Sequence, residues 1–259
     1  MFEPRPNTET TMTNLAYEES GDGTPLVFLH GITMTRAAWR PVVDLLSDTF
    51  RCINVDLVGH GESPRTGAYD VFTQANAVGE LIGSLGLDRP VLVGHSFGAF
   101  TATLLGANAP VRGVVNIDQE MDTASFKRKI APFEQRLRGD DFVAAFTEFA
   151  ESMGSGLVQD QWQHLTAMEP DPEIVLGVWT MVFDTPAADL NALVEPVLAS
   201  YQVPYLAIFG NPVSDEERRL IGNVPDHTIE EWVGLDHFIH LVDPERTSRR
   251  IAEFAAGLG

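Results

Sequence analysis

The segment VLVGHSFGAF, residues 91–100, places a serine between two glycines directly behind a run of branched apolar residues. A turn that served packing alone would have no need of a hydroxyl there. Strand, tight turn and helix, with Ser96 at the apex and Gly94 and Gly98 two residues to either side, is the arrangement of a nucleophile elbow. Such a turn lifts the hydroxyl out of the sheet edge. The free N–H groups and positive dipole end of the following helix can then stabilise a developing oxyanion. A G-x-S-x-G string alone is also met as a plain glycine-rich turn. Here the strand-like VLV before it and the helical FGAFTATLLGANA after it favour the chemical reading. A serine hydroxyl is a weak nucleophile until a base removes its proton, so the chain's histidines become candidates for that base.

The elements that would position this serine can be read from hydrophobic periodicity. PLVFLHG (25–31), RCINVDLVGHG (51–61), RPVLVGHS (89–96) and VRGVVNIDQ (111–119) are continuous apolar runs stopped by glycine or polar residues, as expected of strands buried on both faces. RAAWRPVVDLLSD and FTQANAVGELIGSLGL, between them, have helical spacing. This alternation predicts a mostly parallel, doubly wound sheet. A shorter strand, LAYEES, precedes it. After Asp118 the rhythm stops for about 80 residues. Phe126, Ile130, Phe133 and Leu137, and then Phe142, Ala145, Phe146, Phe149 and Met153, each place one apolar face on a helix. Strands return at VPYLAIFG and TIEEWVG, and PERTSRRIAEFAAGL closes the chain as a helix. The expected organisation is a core of residues 13–121 and 196–259, a helical insertion at 122–195 and a loose tail at 1–12.

Four motifs in this order resemble the α/β-hydrolase superfamily: LHGI (29–32), DLVGHGES (56–63), GHSFG (94–98) and GLDHFIHLVDPER (234–246). The resemblance covers residues 13–258 apart from the insertion. It implies an α/β-hydrolase fold with the insertion as a cap that shapes the pocket, while the chemistry sits on the body. It makes Ser96 the nucleophile and His237 the general base, with His240 as an alternative three residues on. The N–H groups of Ile32 and Phe97 would form the oxyanion hole. His30 would hold the oxyanion loop, and His60 and His95 are read as structural. Many relatives keep the orienting acid three residues past the glycine of the YLAIFG strand, but that position is Val213 here. Asp215, two residues later, would serve only if its loop bulges. Dehalogenase-like and lactone-hydrolysing members keep the acid after the strand that follows the elbow helix, which points to Asp118. Glu120 and Asp184 are more distant candidates. Ser96 stands where the dehalogenase reaction needs a carboxylate.

The 259 residues carry 37 acidic and 17 basic side chains, a formal charge of −20, which disfavours nucleic acid and anionic membranes as partners. Lys127 and Lys129 are the only lysines, and the single Cys52 leaves no internal disulfide. Without a signal-like leader or a run of about 18 apolar residues, a soluble cytoplasmic protein is expected, as monomer or homodimer. No dinucleotide fingerprint, phosphate loop or His/Cys cluster calls for a cofactor or metal. Aromatic residues crowd the insertion, so a small hydrophobic ester, thioester or lactone is the expected substrate. Trp39, Met34, Phe146 and Trp179 are the expected pocket residues, although helical spacing equally suits core packing. The same site would serve acyl transfer, perhydrolysis or carbon–carbon bond hydrolysis. A hydrolase-like receptor that binds a small molecule with little turnover is the reading from another class.

Overall fold

The computed structural model describes residues 14–154, 157–165 and 169–258; the expected tail at 1–12 lies outside these. Seven strands form one sheet: β1 (Tyr17–Ser20), β2 (Pro25–Leu29), β3 (Arg51–Val55), β4 (Val91–His95), β5 (Gly113–Ile117), β6 (Tyr205–Phe209) and β7 (His227–Glu231). Their spatial order is β1-β3-β2-β4-β5-β6-β7. Edge strand β1 runs antiparallel to β3, and every other pairing is parallel. After β2 the chain moves outward to β3, then crosses back to β4 on the other side of β2. That reversal opens a crevice at the carboxyl ends of β2 and β4, where open α/β sheets bind ligands.

Alternate residues of each central strand enter different cores. Leu26 and Phe28 of β2, and Val91 and Val93 of β4, join Trp39, Val42, Ile251 and Ala255. These last four come from the turn and helix α1 (Arg40–Leu46) and from a C-terminal helix (Pro244–Gly257). Val27 and Leu29, with Leu92, face the other way onto Ala75, Val78 and Ala102 of α2 (Val71–Ser84) and α3 (Phe97–Gly106). The period-two side-chain alternation of a strand thus fills both faces, which is why these runs lack polar interruptions. Each fully buried aliphatic side chain contributes about 1.5–3 kcal/mol.

Between β5 and β6 the described residues form only helices. They are α4 (Thr123–Ile130), α5 (Glu134–Leu137), α6 (Phe142–Glu151), α7 (Pro172–Val178), α8 (Thr180–Asp184) and α9 (Ala187–Ala199), with short 3₁₀ turns between. Phe126, Ile130, Phe133 and Leu137 do not share one helix as their spacing suggests. Pro132 lacks an N–H, and the chain passes through a 3₁₀ turn at Ala131–Phe133 before α5. Phe142, Ala145, Phe146 and Phe149 do line one buried face of α6. Helix α9 runs through residue 195, where the insertion was expected to end. Beyond β6 come α10 (Asp215–Ile221), α11 (Ile239–Val242) and α12, the C-terminal helix Pro244–Gly257.

The elbow depends on two close approaches. A Cβ on Gly98 would lie 2.2 Å from the carbonyl oxygen of Leu29, and one on Gly94 would lie 2.4 Å from Ala99 backbone atoms. Both clashes are with backbone that cannot swing away. Gly83, exposed near the end of α2, meets nothing within 4 Å. Gly98→Ala is therefore expected to cost several kcal/mol, and Gly83→Ala to stabilise the fold by about 0.5 kcal/mol through helix propensity alone. Urea unfolding of the two variants checks the opposite signs.

Candidate active site

Strand register brings the chemistry-bearing residues to one level. Leu29 pairs with Gly94, so His30-Gly31-Ile32 and His95-Ser96-Phe97 leave the sheet side by side. His95 pairs with Ile117, so Ser96 and Asp118 leave at the same height on neighbouring strands. Ser96 turns through φ 51°, ψ −126°. Its N–H donates to the Ile117 carbonyl at 3.0 Å, tying the turn to β5.

Asp118, itself at φ 52°, is held at three points. Its N–H donates to the Ile208 carbonyl at 2.8 Å, its Oδ1 accepts from the Gly210 N–H at 2.7 Å, and its Oδ2 accepts from Nδ1–H of His237 at 2.7 Å. Asp118 is thus the carboxylate bonded to His237. Asp215 is exposed in the first turn of α10, behind an N-cap made by Ser214. Glu120 pairs with Lys129, and Asp184 with Arg138.

Ser96, Asp118 and His237 line a cavity of about 460 Å³, together with Ile32 and Phe97. Among the described residues no hydrogen bond uses the backbone N–H of Ile32 or of Phe97. Both remain available to an oxygen near Ser96.

Four other histidines are buried and neutral. His30 donates from Nδ1 to the Gly31 carbonyl at 2.7 Å and accepts at Nε2 from the Leu57 N–H at 3.0 Å. His60 donates from Nδ1 to the Val58 carbonyl at 3.0 Å and accepts at Nε2 from the Thr33 N–H at 3.2 Å. A ring that both donates and accepts carries one proton, so these two histidines fasten the loop after β2 to the loop after β3 only while neutral. Burial holds His30 and His95 well below the usual imidazole range, lowers His60, and drives His240 down to about 3.

Of the four expected pocket residues, only Trp179 reaches the cavity. It is the hub of an aromatic cluster, with Phe126, Phe146 and Phe149 at 5.6–5.7 Å between ring centroids. Phe146 stacks behind it, away from the cavity. Trp39 is fully buried on the opposite face of the sheet, against Phe28 and His240. Met34 packs with Ala38, Phe238 and Leu241 in a separate cluster. Proximity in sequence to the loop after β2 misleads for both, because the chain turns away from the cavity after Ile32.

Two features of the site left little trace in the sequence. Glu217 sits in the charged run DEERR, which reads as a solvated helix start, yet it is buried in the cavity wall. Its carboxylate accepts from the N–H groups of Met121 and Asp122 at 2.8 and 2.7 Å, and burial pushes it up to about 8 against those donors. The signal was its spacing of three and four from Leu220 and Ile221, which share the inward face of α10. The second feature is contact between the helical layer and the histidine loop. The His237 N–H donates to the Met153 carbonyl at 3.3 Å. Gly154, at φ 82°, approaches so closely that a Cβ there would lie 2.4 Å from Asp236 Cβ. The insertion therefore touches the loop carrying His237 as well as walling the cavity, while Ser96, Asp118 and His237 themselves lie outside it.

The chain belongs to the alpha/beta hydrolase family, whose family model matches residues 26–250, and it is a hydrolase. Among characterised relatives, it is 41% identical over 108 residues to 2-(acetamidomethylene)succinate hydrolase of Mesorhizobium japonicum, a match spanning 40% of this chain and 38% of that protein. It is 26% identical over 270 residues to haloalkane dehalogenase 2 of Mycobacterium tuberculosis, across 95% and 92% of the two chains. The solved structure of Est816, described as an N-acyl homoserine lactone degrading enzyme, superposes with a TM-score of 0.70 at 24% identity, covering 96% of this chain and 100% of that one. No helix among the described residues is long and apolar enough to cross a membrane.

Two outcomes are expected. Gly154→Ala should lower turnover by about tenfold or more through displacement of the His237 loop. Asp236→Gly, which removes the clashing Cβ at a residue already at φ 52°, should restore part of it in the double variant; steady-state kinetics of the four proteins checks this. Acid should destabilise the fold. Below pH 6.5 the unfolded chain takes up protons that folded His30, His95 and His240 refuse, so stability present above 6.5 is lost as pH falls. Between pH 7.5 and 5.5 the folded state should therefore lose stability progressively. Glu217 acts oppositely, because its folded pKa is raised: stability rises as pH falls from about 8 toward 4.5. It offsets about 2 kcal/mol of the loss over the same interval. Urea melts at both pH values should show a steeper acid loss in Glu217→Gln than in the parent.

Proposed function

We propose that this protein is a serine hydrolase that cleaves a small hydrophobic carboxylic ester or lactone through an acyl-enzyme. The observation that carries the reading is the elbow serine, at φ 51°, opening on the same cavity as an imidazole whose Nδ1–H is held by a buried-strand carboxylate. With Nδ1 protonated and bonded to Asp118, the neutral ring keeps Nε2 free to take the Ser96 proton. Ser96 Oγ attacks the substrate carbonyl carbon, and the oxygen that becomes negative is received by the N–H groups of Ile32 and Phe97. Asp118 orients the ring and stabilises the imidazolium. His237 then protonates the departing alcohol oxygen as the carbon–oxygen bond breaks, leaving the acyl group on Ser96. Water, deprotonated by the same ring, releases the acid and restores the serine.

The substrate class rests on the cavity wall, where Phe126, Phe133, Phe149 and Trp179 present apolar surface. The relatives' own substrates include an N-acyl homoserine lactone and a 2-(acetamidomethylene)succinate, both carbonyl compounds but not one molecule. The haloalkane dehalogenase likeness does not extend to its reaction, since that chemistry needs a carboxylate where Ser96 stands.

A fluorophosphonate should label Ser96, and a panel of p-nitrophenyl esters and lactones should show sustained turnover. Ser96→Ala should fold and lose turnover by a factor on the order of 10⁶. Asp118→Asn should lose roughly 10²–10⁴, and Asp215→Asn less than about tenfold. Binding without product release would favour the receptor reading. A folded Ser96→Ala that keeps more than a few per cent of activity would overturn the nucleophile.

A further inference from the structure

His95 precedes Ser96 directly, and the serine mechanism gives it no proton to carry. It is 1% exposed at the end of β4. Its Nε2–H donates to the backbone carbonyl of His237 at 2.9 Å. Its ring lies 4.7 Å, centroid to centroid, from the His237 ring and 4.3 Å from that of His240, which in turn rests 4.6 Å from Trp39. On its other edge Gly31, in the loop after β2, comes so close that a Cβ there would lie 2.9 Å from His95 Nδ1. One side chain thus touches the histidine loop and the oxyanion loop while being covalently joined to the elbow serine.

We propose that His95 is the positioning residue that sets the distance between these three loops, and that a single donor at its Nε2 position does this. The inference rests on the serine-hydrolase reading of the site. The three loops leave different strands, and the sheet fixes only where each begins. Beyond that point the His237 loop is held by Asp118 at the ring and by Met153 and His95 at the backbone. The Asp118 contact leaves the ring free to pivot about Nδ1; the carbonyl contact from His95 removes that freedom. The donor must also stay put, and the stack secures it. His240 and Trp39 wall the ring from behind, and with Nε2 protonated the Nδ1 edge is bare, which lets Gly31 lie against it. A second proton on His95 would be driven against Gly31 in a buried site beside His237 and His240, so the ring works in one neutral tautomer.

The amide nitrogen of glutamine reaches as far along the side chain as imidazole Nε2, whereas that of asparagine reaches only as far as Nδ1. His95→Leu keeps the bulk without the donor, His95→Asn keeps a donor that falls short, and His95→Gln restores the donor at the right reach. With p-nitrophenyl butyrate, His95→Leu and His95→Asn should lower kcat by about 10²-fold with KM within about twofold of the parent. His95→Gln should recover most of that loss. The rate of fluorophosphonate labelling at Ser96 should fall and recover in parallel. If His95→Leu fails to fold, the Asn and Gln pair decides. Wild-type kcat in a folded Asn variant, a loss confined to KM, or a Gln variant no better than Asn would overturn the assignment. Absence of labelling on Ser96 in the parent protein would instead overturn the serine-hydrolase reading beneath it.

Discussion

Left-handed backbone at residues that carry side chains is the constraint on which this site is built. Five non-glycine residues among those described have positive φ, and three of them line the cavity: Ser96 at 51°, Asp118 at 52° and Asp236 at 52°. Each costs about 1–3 kcal/mol against an unstrained turn. None is replaced by glycine, which would relieve the strain, because at Ser96 and Asp118 the side chain is the point. At Ser96 and Asp118 the turn follows directly on a strand end, so a short polar side chain stands out from the sheet edge into the cavity. The two cores beneath hold the strands rigidly enough for that strain to persist. A looser sheet would relax it, and Ser96 and Asp118 would no longer emerge at one height.

Histidine is used at this site in two opposite electrostatic settings. His30, His60, His95 and His240 have no carboxylate bonded to the ring, and burial keeps them uncharged. As neutral rings His30, His60 and His95 act as connectors between loops, with one edge donating and the other accepting or bare, whereas His240 makes no hydrogen bond and packs between His95 and Trp39. His237 alone among these has a carboxylate on its ring, at 2.7 Å, and faces the cavity. A proton gained by a connector would break the loop it fastens, whereas a proton gained by His237 has a counter-charge waiting. The same residue type thus provides a rigid frame and, under the proposed reading, one proton acceptor, with the difference made by Asp118.

Much of this was legible in the sequence because the information is local. Continuous apolar runs ending in glycine mark buried parallel strands, and the elbow is a strand, a turn and a helix within ten residues. Asp118 was legible as a strand-end carboxylate, since β5 fixes its position. The pocket was not. Trp39 and Met34 follow the loop after β2 closely in sequence, yet the turn after Ile32 carries them to other clusters. Whether the helical face of Phe146 or that of Phe149 meets the cavity depends on how α6 rolls against Trp179, which no period reveals. Glu217 was hidden by its charged neighbours. The support of the His237 loop by Met153 joins residues 84 apart through a backbone carbonyl, a contact that side-chain identity does not encode.

The scaffold and the nucleophile carry separate information about chemistry. Across 95% of its length the chain aligns with a haloalkane dehalogenase, and it superposes comparably on a lactone-degrading enzyme, so the fold alone does not choose between breaking a carbon–halogen bond and breaking an acyl bond. The choice falls on the residue at the strained apex. A carboxylate there would displace a leaving group from a saturated carbon and form an ester that carries no new oxyanion at the first step. A hydroxyl there, as proposed for Ser96, would attack a carbonyl, and negative charge would develop on the carbonyl oxygen, which must be met at once. Two unpaired backbone N–H groups, at Ile32 and Phe97, stand beside Ser96 for such an oxygen, and backbone donors of this kind are fixed before substrate arrives. Under the proposed reading, a serine at the apex is matched to acyl cleavage by its surroundings as well as by its own hydroxyl. What remains to set the substrate is the shape of the aromatic wall around Trp179, which belongs to the same helical layer that touches the His237 loop at Met153 and Gly154.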